Sequence, residues 1–353
     1  LKSGSPPIWV FANNAQGGRT MYYIGLDIHK KDTQACVLNE KGKFVHGERI
    51  RTDVVDIGHF FERMERMNDD DRKVVIEATG FYFWIYDVIV ERGHQVKVVH
   101  PNRAKALMKA RSKPDRNDAL MLAQLLRLGG LEGIYVPSED VRELRDLTRH
   151  RESLVRKKGD LKREMIGALD QHGLKVPAGF KTNFSNKFNA HVRGLGVFLI
   201  NEKLDLLDTT IEKLKNVEAM LEERYGKDDD VELMTMPDIG IVTASVLKGE
   251  IGDIGRFQSF GNLATYAGLT PSRSQSGEKE WFGPTGHGND RIKHVLIEAT
   301  LSHVHHKNDT KIKDFYERKK GPLGENKVMV ATARKMLEAV YFMLYRKETY
   351  HAH

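Results

Sequence analysis

Tyr22-Tyr23-Ile24-Gly25-Leu26-Asp27-Ile28 is the stretch on which the fold turns. Aromatic and β-branched residues crowd a short run that carries one carboxylate near its end, the pattern of a strand that points Asp27 off a sheet. Downstream, Thr33 to Leu38 reads as a second strand. Asn39-Glu40-Lys41-Gly42-Lys43 is a hairpin turn into a third, Phe44 to Ile50. Asp53 to Met67 places Val54, Ile57, Phe60, Phe61 and Met64 on one helical face. Val74-Val75-Ile76 is a short buried strand ending at Glu77, a helix is expected from Phe81 to Arg92, and Val96 to Val99 is another strand. An Ala- and Leu-rich helix with the run Asp118 to Arg127 follows.

Three hairpin-joined strands, then helix, strand, helix, strand and helix, is the order of an α/β ribonuclease H-like (RuvC-like) domain, assigned to residues 21–135. From about residue 141 the pattern becomes helical. Leu144, Leu147, Leu154, Leu161 and Met165 fall near heptad positions, with Arg151 and Lys158 interrupting the seam. Leu204, Leu207, Ile211, Leu214 and Leu221 form a second stripe, and Pro177 to Gly196 reads as a loop or reversal. An antiparallel hairpin, an inter-subunit coiled coil and an ordinary helical core all fit residues 141–228. Lys227-Asp228-Asp229-Asp230 marks a boundary before a mainly helical domain over residues 231–347. Met236 to Ala244 resembles half of a helix-hairpin-helix element, although Asp238 in its turn argues against direct phosphate contact.

With 353 residues, 40% hydrophobic and 30% charged, the chain is long enough for two globular domains. Lys plus Arg exceed Asp plus Glu by 56 to 49, a net +7 that favours a polyanionic partner. The one cysteine, Cys36, excludes an internal disulfide framework; its apolar surroundings make it a core residue of a protein from a reducing cytoplasm. No window approaches the ~18 consecutive apolar residues of a membrane span. Residues 1–20, with Pro6-Pro7, Asn13-Asn14 and Gly17-Gly18, are expected to be a disordered leader.

Four carboxylates stand where metal chemistry needs them. Asp27 and Glu77 end strands, Glu77 is followed by the small residues Ala78-Thr79-Gly80, and Asp115 and Asp118 share one helical face. Oxygen-only clusters of this kind suit Mg2+ or Mn2+. Taken singly, each acid reads equally as a turn or cap residue, Asp115 in Lys-Pro-Asp-Arg above all. Arg103, Lys105, Lys109, Arg111, Lys113 and Arg116 put six cations in fourteen residues beside the acidic pair, a phosphate-tracking run or a solvated helix face. Farther on, Pro271-Ser272-Arg273-Ser274-Gln275-Ser276-Gly277 could expose a nucleophilic serine in a loop, with Arg273 contacting nucleic acid; spacing alone leaves that open, because no base is evident.

The sequence resembles the DEDD-type insertion-sequence transposases, a family that includes a pilin-gene inverting recombinase and bridge-RNA-guided recombinases. The matching stretches are Tyr23-Ile24-Gly25-Leu26-Asp27, Ile76-Glu77-Ala78-Thr79-Gly80, Lys113-Pro114-Asp115-Arg116-Asn117-Asp118-Ala119, and Tyr266 to Pro271 through Ser276-Gly277. The resemblance implies a RuvC-like domain, a coiled-coil linker and a C-terminal transposase domain. It implies that Asp27, Glu77, Asp115 and Asp118 bind Mg2+ and that Ser276 attacks a DNA phosphodiester and holds the strand covalently. Donor and target DNA, a structured bridge RNA and a homo-oligomer are the implied partners, in a prokaryotic cytoplasm at the nucleoid. Two departures stand out: Asp238 replaces a common Gly of the Pro-Gly-Ile-Gly turn, and Glu278 to Phe282 is more acidic and aromatic than the pattern. Rival readings are a RuvC-like nuclease or resolvase that uses water, a sugar-kinase-like ATPase, whose second phosphate loop is not found, and a non-catalytic nucleic-acid-binding protein.

Overall fold

A computed structural model of the chain describes residues 21–67, 71–109, 118–174, 184–226, 231–276, 279–305 and 310–350. The expected leader, residues 1–20, lies outside them. Two units are formed, Leu1–Val136 and Pro137–His353.

In the first unit, the opening sequence run forms β1 (Met21–Ile28), followed by β2 (Asp32–Leu38) and β3 (Phe44–Arg51). The β2–β3 turn closes on Asn39, whose Oδ1 accepts from the Lys41 and Lys43 amides, and Gly42 supplies the required positive φ of 77°. Then come α1 (Val54–Met67), β4 (Asp71–Glu77), α2 (Tyr82–Glu91), β5 (Gln95–Val99), α3 (Pro101–Lys109) and α4 (Asp118–Arg127). The sheet order is β3-β2-β1-β4-β5; β1 runs antiparallel to β2 and parallel to β4, and β5 is parallel to β4. Both faces are covered, which is why β1 and β4 read as apolar runs rather than alternations. On one side Ile24, Leu26 and Ile76 meet Phe60, Phe61 and Met64 of α1 and Ile85 and Ile89 of α2. Fully burying each of these phenylalanines stabilises the unit by about 1.5–3 kcal/mol. On the other side Val75 and Val99 meet Met121, Leu122 and Leu125 of α4, while Cys36 and Leu38 meet Ala119 and Ala123. Burial pushes the Cys36 thiol up to about 12, so it behaves as the apolar residue expected of it.

The second unit opens with α5 (Glu139–Gln171), α6 (Asn186–Gly194) and α7 (Phe198–Tyr225). α5 and α7 pack antiparallel within one chain: Arg224 pairs with Glu143, Arg151 with Glu218 at 2.6 Å, and Lys203 with Glu164 at 2.5 Å. Arg151, which breaks the apolar seam in sequence, therefore has a partner across the helix pair. Residues 186–194, expected within a loop or reversal, are helical. Ser185 caps that helix, accepting from the Phe188 amide, and Phe188 and Val192 bury one turn apart against Met165 and Leu204.

The remainder holds α8 (Val231–Met234), α9 (Ile241–Ile251), α10 (Phe260–Tyr266), β6 (Pro271–Ser276), β7 (Lys279–Thr285), α11 (Asp290–His305), α12 (Lys311–Leu323) and α13 (Glu325–Arg346). Leu247, Ile251, Leu263, Leu296, Met336 and Val340 centre its core. The Ser- and Gly-rich segment expected to be a loop is an antiparallel hairpin, with Pro271 opposite Thr285 and Ser276 opposite Lys279. Backbone pairing builds it, and composition does not report backbone pairing. Asp238, placed where the family favours Gly, adopts φ 67°, and its carboxylate accepts from Ser302 Oγ at 2.7 Å and lies 3.0 Å from His303 Nδ1. Among the described residues no helix is long and apolar enough to cross a membrane.

Candidate active site

The parallel register of β1 and β4 sets Leu26 beside Ile76, so the next residues of the two strands, Asp27 and Glu77, emerge side by side at the sheet edge formed by the C-terminal ends of these two inner strands. Asp118 reaches the same edge because α4 lies directly on β1. A Cβ on Gly25 would sit 2.1 Å from the Ala119 carbonyl oxygen and 2.7 Å from the Ala123 amide nitrogen, so only glycine admits this approach. Ala119 and Ala123, one turn apart, complete the close contact from the helix side. Asp118 is the first residue of α4, where its charge complements the helix dipole.

The three acids feel one another. Burial pushes the Asp27 carboxyl above its usual range and the Asp118 charge adds to the rise, while His29 and Lys105 oppose it. Glu77 is also raised, first by burial, then by the Asp27 charge, with Asp118 adding and Lys105 and His29 opposing. Two sequence readings gain detail here. Lys105 of the basic run lies at the carboxylates, whereas Arg103 is paired with Glu132. Lys109 is in α3; Arg111, Lys113, Asp115 and Arg116 lie outside the described residues.

Whether these acids suit a cation is a question of donor chemistry. Carboxylates that burial and mutual repulsion hold above their usual range are relieved by a divalent ion, and the half-buried Thr79, two residues past Glu77, has a hydroxyl with no hydrogen-bond partner among the described residues. Among the described residues no three Asp, Glu, His or Cys side chains are close enough to hold an ion unaided. Oxygen-only donors of this kind are the chemistry that a divalent cation takes.

Two residues at this edge escaped the sequence reading. His29 stands 3.1 Å from Asp27 Oδ2, and Gly25 sets the helix approach. Strand alternation could have found His29, since residues two apart share a face. Ser276, in the second unit, is the last residue of β6, and Arg273 stands in the same strand opposite Phe282.

The chain matches known proteins over most of its length. Residues 24–173 match the DEDD transposase family of IS110 elements, described as "Transposase", and residues 231–317 match "Transposase IS116/IS110/IS902 family". The chain is 26% identical to the transposase for insertion sequence element IS1111A of Coxiella burnetii, over 97% of this chain and 95% of that one. It is 28% identical to the pilin gene-inverting protein of Moraxella bovis, over 72% of this chain and 74% of that one. With a probable family 20 transposase of Pseudomonas aeruginosa it shares 24% identity over 93% and 98%. These matches define a DNA-cleaving and rejoining enzyme. The chain belongs to the IS110/IS116 family of insertion-sequence transposases.

Proposed function

We propose that the chain is a metal-dependent DNA recombinase of a mobile insertion sequence, holding Mg2+ (or Mn2+) through Asp27, Glu77, Asp115 and Asp118 and bonding covalently to DNA through Ser276. The observation that carries it is the convergence of Asp27, Glu77 and Asp118 from two strands and a helix at one sheet edge, each raised acid feeling its neighbours' charge. The strand order β3-β2-β1-β4-β5 supports a ribonuclease H-like (RuvC-like) reading of residues 21–135. The antiparallel α5–α7 pair supports a coiled-coil linker over 141–228, leaving 231–347 as the C-terminal transposase domain.

A bound divalent ion supplies charge neutralisation at phosphate and lowers the pKa of a hydroxyl near it. The chain's own residues do the rest. The acids orient the phosphate edge, with Lys105 and His29 tempering their charge. Arg103, Lys109, Arg111, Lys113, Arg116 and Arg273 follow the DNA backbone. Ser276 Oγ attacks phosphorus: the Oγ–P bond forms, one P–O ester bond to deoxyribose breaks, the serine hydroxyl gives up its proton, and the leaving deoxyribose oxygen takes up one to become a free hydroxyl. Attack by a hydroxyl of another strand reverses the exchange and returns the serine, so rejoining needs no ATP. A homo-oligomer, dimer or tetramer, and a structured bridge RNA that pairs with donor and target complete the assembly; sequence reading by base pairing leaves the protein mainly backbone contacts, which suits a net charge of only +7. Similarity to the pilin gene-inverting protein supports a second reading, an unguided invertase.

The test incubates the full chain with Mg2+ and labelled DNA spanning its own coding region and flanks. A protein–DNA adduct stable to denaturation, absent from Ser276→Ala, is expected. Undiminished cleavage by Ser276→Ala turns the reading into a nuclease that uses water. Sequencing the RNA that copurifies with the chain separates the guided form from the unguided one.

A further inference from the structure

The hairpin that carries Ser276 needs something to aim it. A lone two-stranded hairpin is marginally stable in water, and Ser276 stands five residues from the Pro271–Thr285 pair at its base. At about 3.4 Å per residue the tip is roughly 17 Å from the base. A tilt of about 10° at the base would then move the tip by about 3 Å, where a misplacement of about 1 Å can cost a hundredfold in rate.

The base is rooted in a buried acid that no sequence motif marked. Glu250, on α9, is 1% exposed. Arg149 of α5 donates to both its oxygens, Nε to Oε1 at 2.8 Å and an Nη to Oε2 at 3.0 Å. Asn289, four residues past the end of β7, donates its Nδ2 to Oε2 at 2.8 Å. The backbone joins in: the Tyr266 hydroxyl and Arg145 donate to the Glu250 carbonyl at 3.2 Å, and Arg145 also donates to the Gly249 carbonyl at 2.5 Å. Asn289 is fixed from both sides, because its amide donates to the Tyr266 carbonyl at 2.7 Å while its Oδ1 accepts from Arg291 and Ile292 at the start of α11. Between these points Gly268 and Gly288 touch so closely that a Cβ on Gly288 would lie 2.2 Å from the Gly268 nitrogen. Gly286 donates to the Thr270 carbonyl at 3.1 Å and Lys293 Nζ to Thr285 Oγ1 at 2.7 Å. Both sides of the hairpin are thus tied to one residue, the β7 side to the Glu250 carboxylate through Asn289 and the β6 side to its backbone carbonyl through Tyr266. That carboxylate is itself held by Arg149 of the long helix α5.

We propose that Glu250 is a positioning residue for DNA strand attachment: through Asn289 it sets the angle of the β6–β7 hairpin and so the reach of Ser276. The proposal rests on the reading of Ser276 as the nucleophile. Glu250 touches no DNA; it acts through the latch.

Asn289→Ser tests it on the full chain. Serine keeps the helix cap of α11 but is too short to reach Glu250. Amide hydrogen exchange over residues 271–286 is expected to rise, and formation of the serine-linked DNA to slow about tenfold or more, with DNA affinity unchanged and the melting temperature of the unit lowered less than in Glu250→Ala. Asn289→Asp breaks the same contact by setting a second carboxylate against Glu250. Adding Glu250→Gln, whose amide can donate to that carboxylate, is expected to restore part of the rate. Unchanged hairpin exchange in Asn289→Ser overturns the proposal. So does exchange that rises equally through α5, α9 and α13, since that marks a general packing role. If the wild-type chain forms no serine-linked DNA, the proposed reaction fails, while hairpin exchange still decides for or against the latch.

Discussion

Two sets of buried acids, one in each unit, are handled in opposite ways. At the edge of the five-stranded sheet, Asp27 and Glu77 are half-buried beside Asp118, and burial and like charge leave both carboxyls above their usual range. On α9, Glu250 is buried more deeply still. Burial alone would push it up, yet the hydrogen bonds from Arg149 and Asn289 and the charges of Arg149 and Arg145 outweigh that and hold it below the usual range. A fold that can satisfy a buried acid so fully in one unit leaves two, Asp27 and Glu77, under strain in the other. That difference is what the proposed cation site predicts, and substitutions can be ranked by how hard they press on it.

The largest effect is expected from Asp27→Asn. If Asp27 holds the proposed ion, a neutral amide would lose it, and with it several kcal/mol of transition-state stabilisation, so Mg2+-dependent strand cleavage should fall by about a thousandfold. The melting temperature in metal-free buffer should not fall, because the substitution also removes a desolvated charge. A marked loss of stability without metal would show Asp27 to be a structural acid and end the contrast. Glu250→Ala should do the reverse. It strands Arg149 and Asn289, and since Arg149 is 42% exposed and can turn to water, the cost lies near the low end for a broken buried pair, about 3 kcal/mol. Thermal unfolding of the second unit would read this directly, and a shift within error would mean the latch carries no load.

Gly25→Ala comes next. The added methyl meets main chain, the Ala119 carbonyl and the Ala123 amide, rather than a side chain that could swing aside, so α4 must move off β1. Overpacking of this kind costs about 1–3 kcal/mol. The same displacement carries Asp118 away from Asp27, and the melting shift that Mg2+ induces should shrink with it. A normal metal shift in Gly25→Ala would mean that the contact of α4 with Gly25 does not set the acid spacing.

Gly25 also shows where the sequence stops being informative. Every strand of the first unit and helices α1, α2 and α4 are legible, because apolar runs and turn residues are local signals, whereas α3 is not picked out as a helix of its own. The glycine stands inside the most readable strand, but its reason is a helix backbone that arrives more than ninety positions later. Asp27 and Glu77 could be picked as strand-end acids; their register, which puts them side by side, is set by pairing between distant segments. Glu250 was invisible for the same cause. In Val246-Leu247-Lys248-Gly249-Glu250-Ile251 it looks like one more polar residue on a helix, and its partners lie about one hundred residues before it and forty after. The short helix α6 and the β6–β7 hairpin were hidden by composition, the first by its asparagines and the second by its serines and glycines.

The mildest perturbation is acid itself, and it separates the two sets by sign. Asp27 and Glu77 have folded-state values above their ordinary 3.8 and 4.5. Their contribution to stability is therefore fully present below those ordinary values and is lost as pH rises through the raised ones. Glu250 lies below its ordinary 4.5, so its contribution is present above that value and is lost as pH falls through the lowered one. Acidifying the metal-free chain from neutral should thus relieve the first unit before it weakens the second. Mg2+ should cancel the relief, since an ion that favours the ionised acids must be displaced by the incoming protons. Hydrogen exchange of β1 and β4 against that of α9, followed from neutral to acid with chelator and then with Mg2+, measures both signs in one sample. Asp27→Asn serves as the control that removes one of the titrating groups. If both units weaken together in chelator and Mg2+ makes no difference, the acids of β1 and β4 are as satisfied as Glu250, and the case for a cation there collapses.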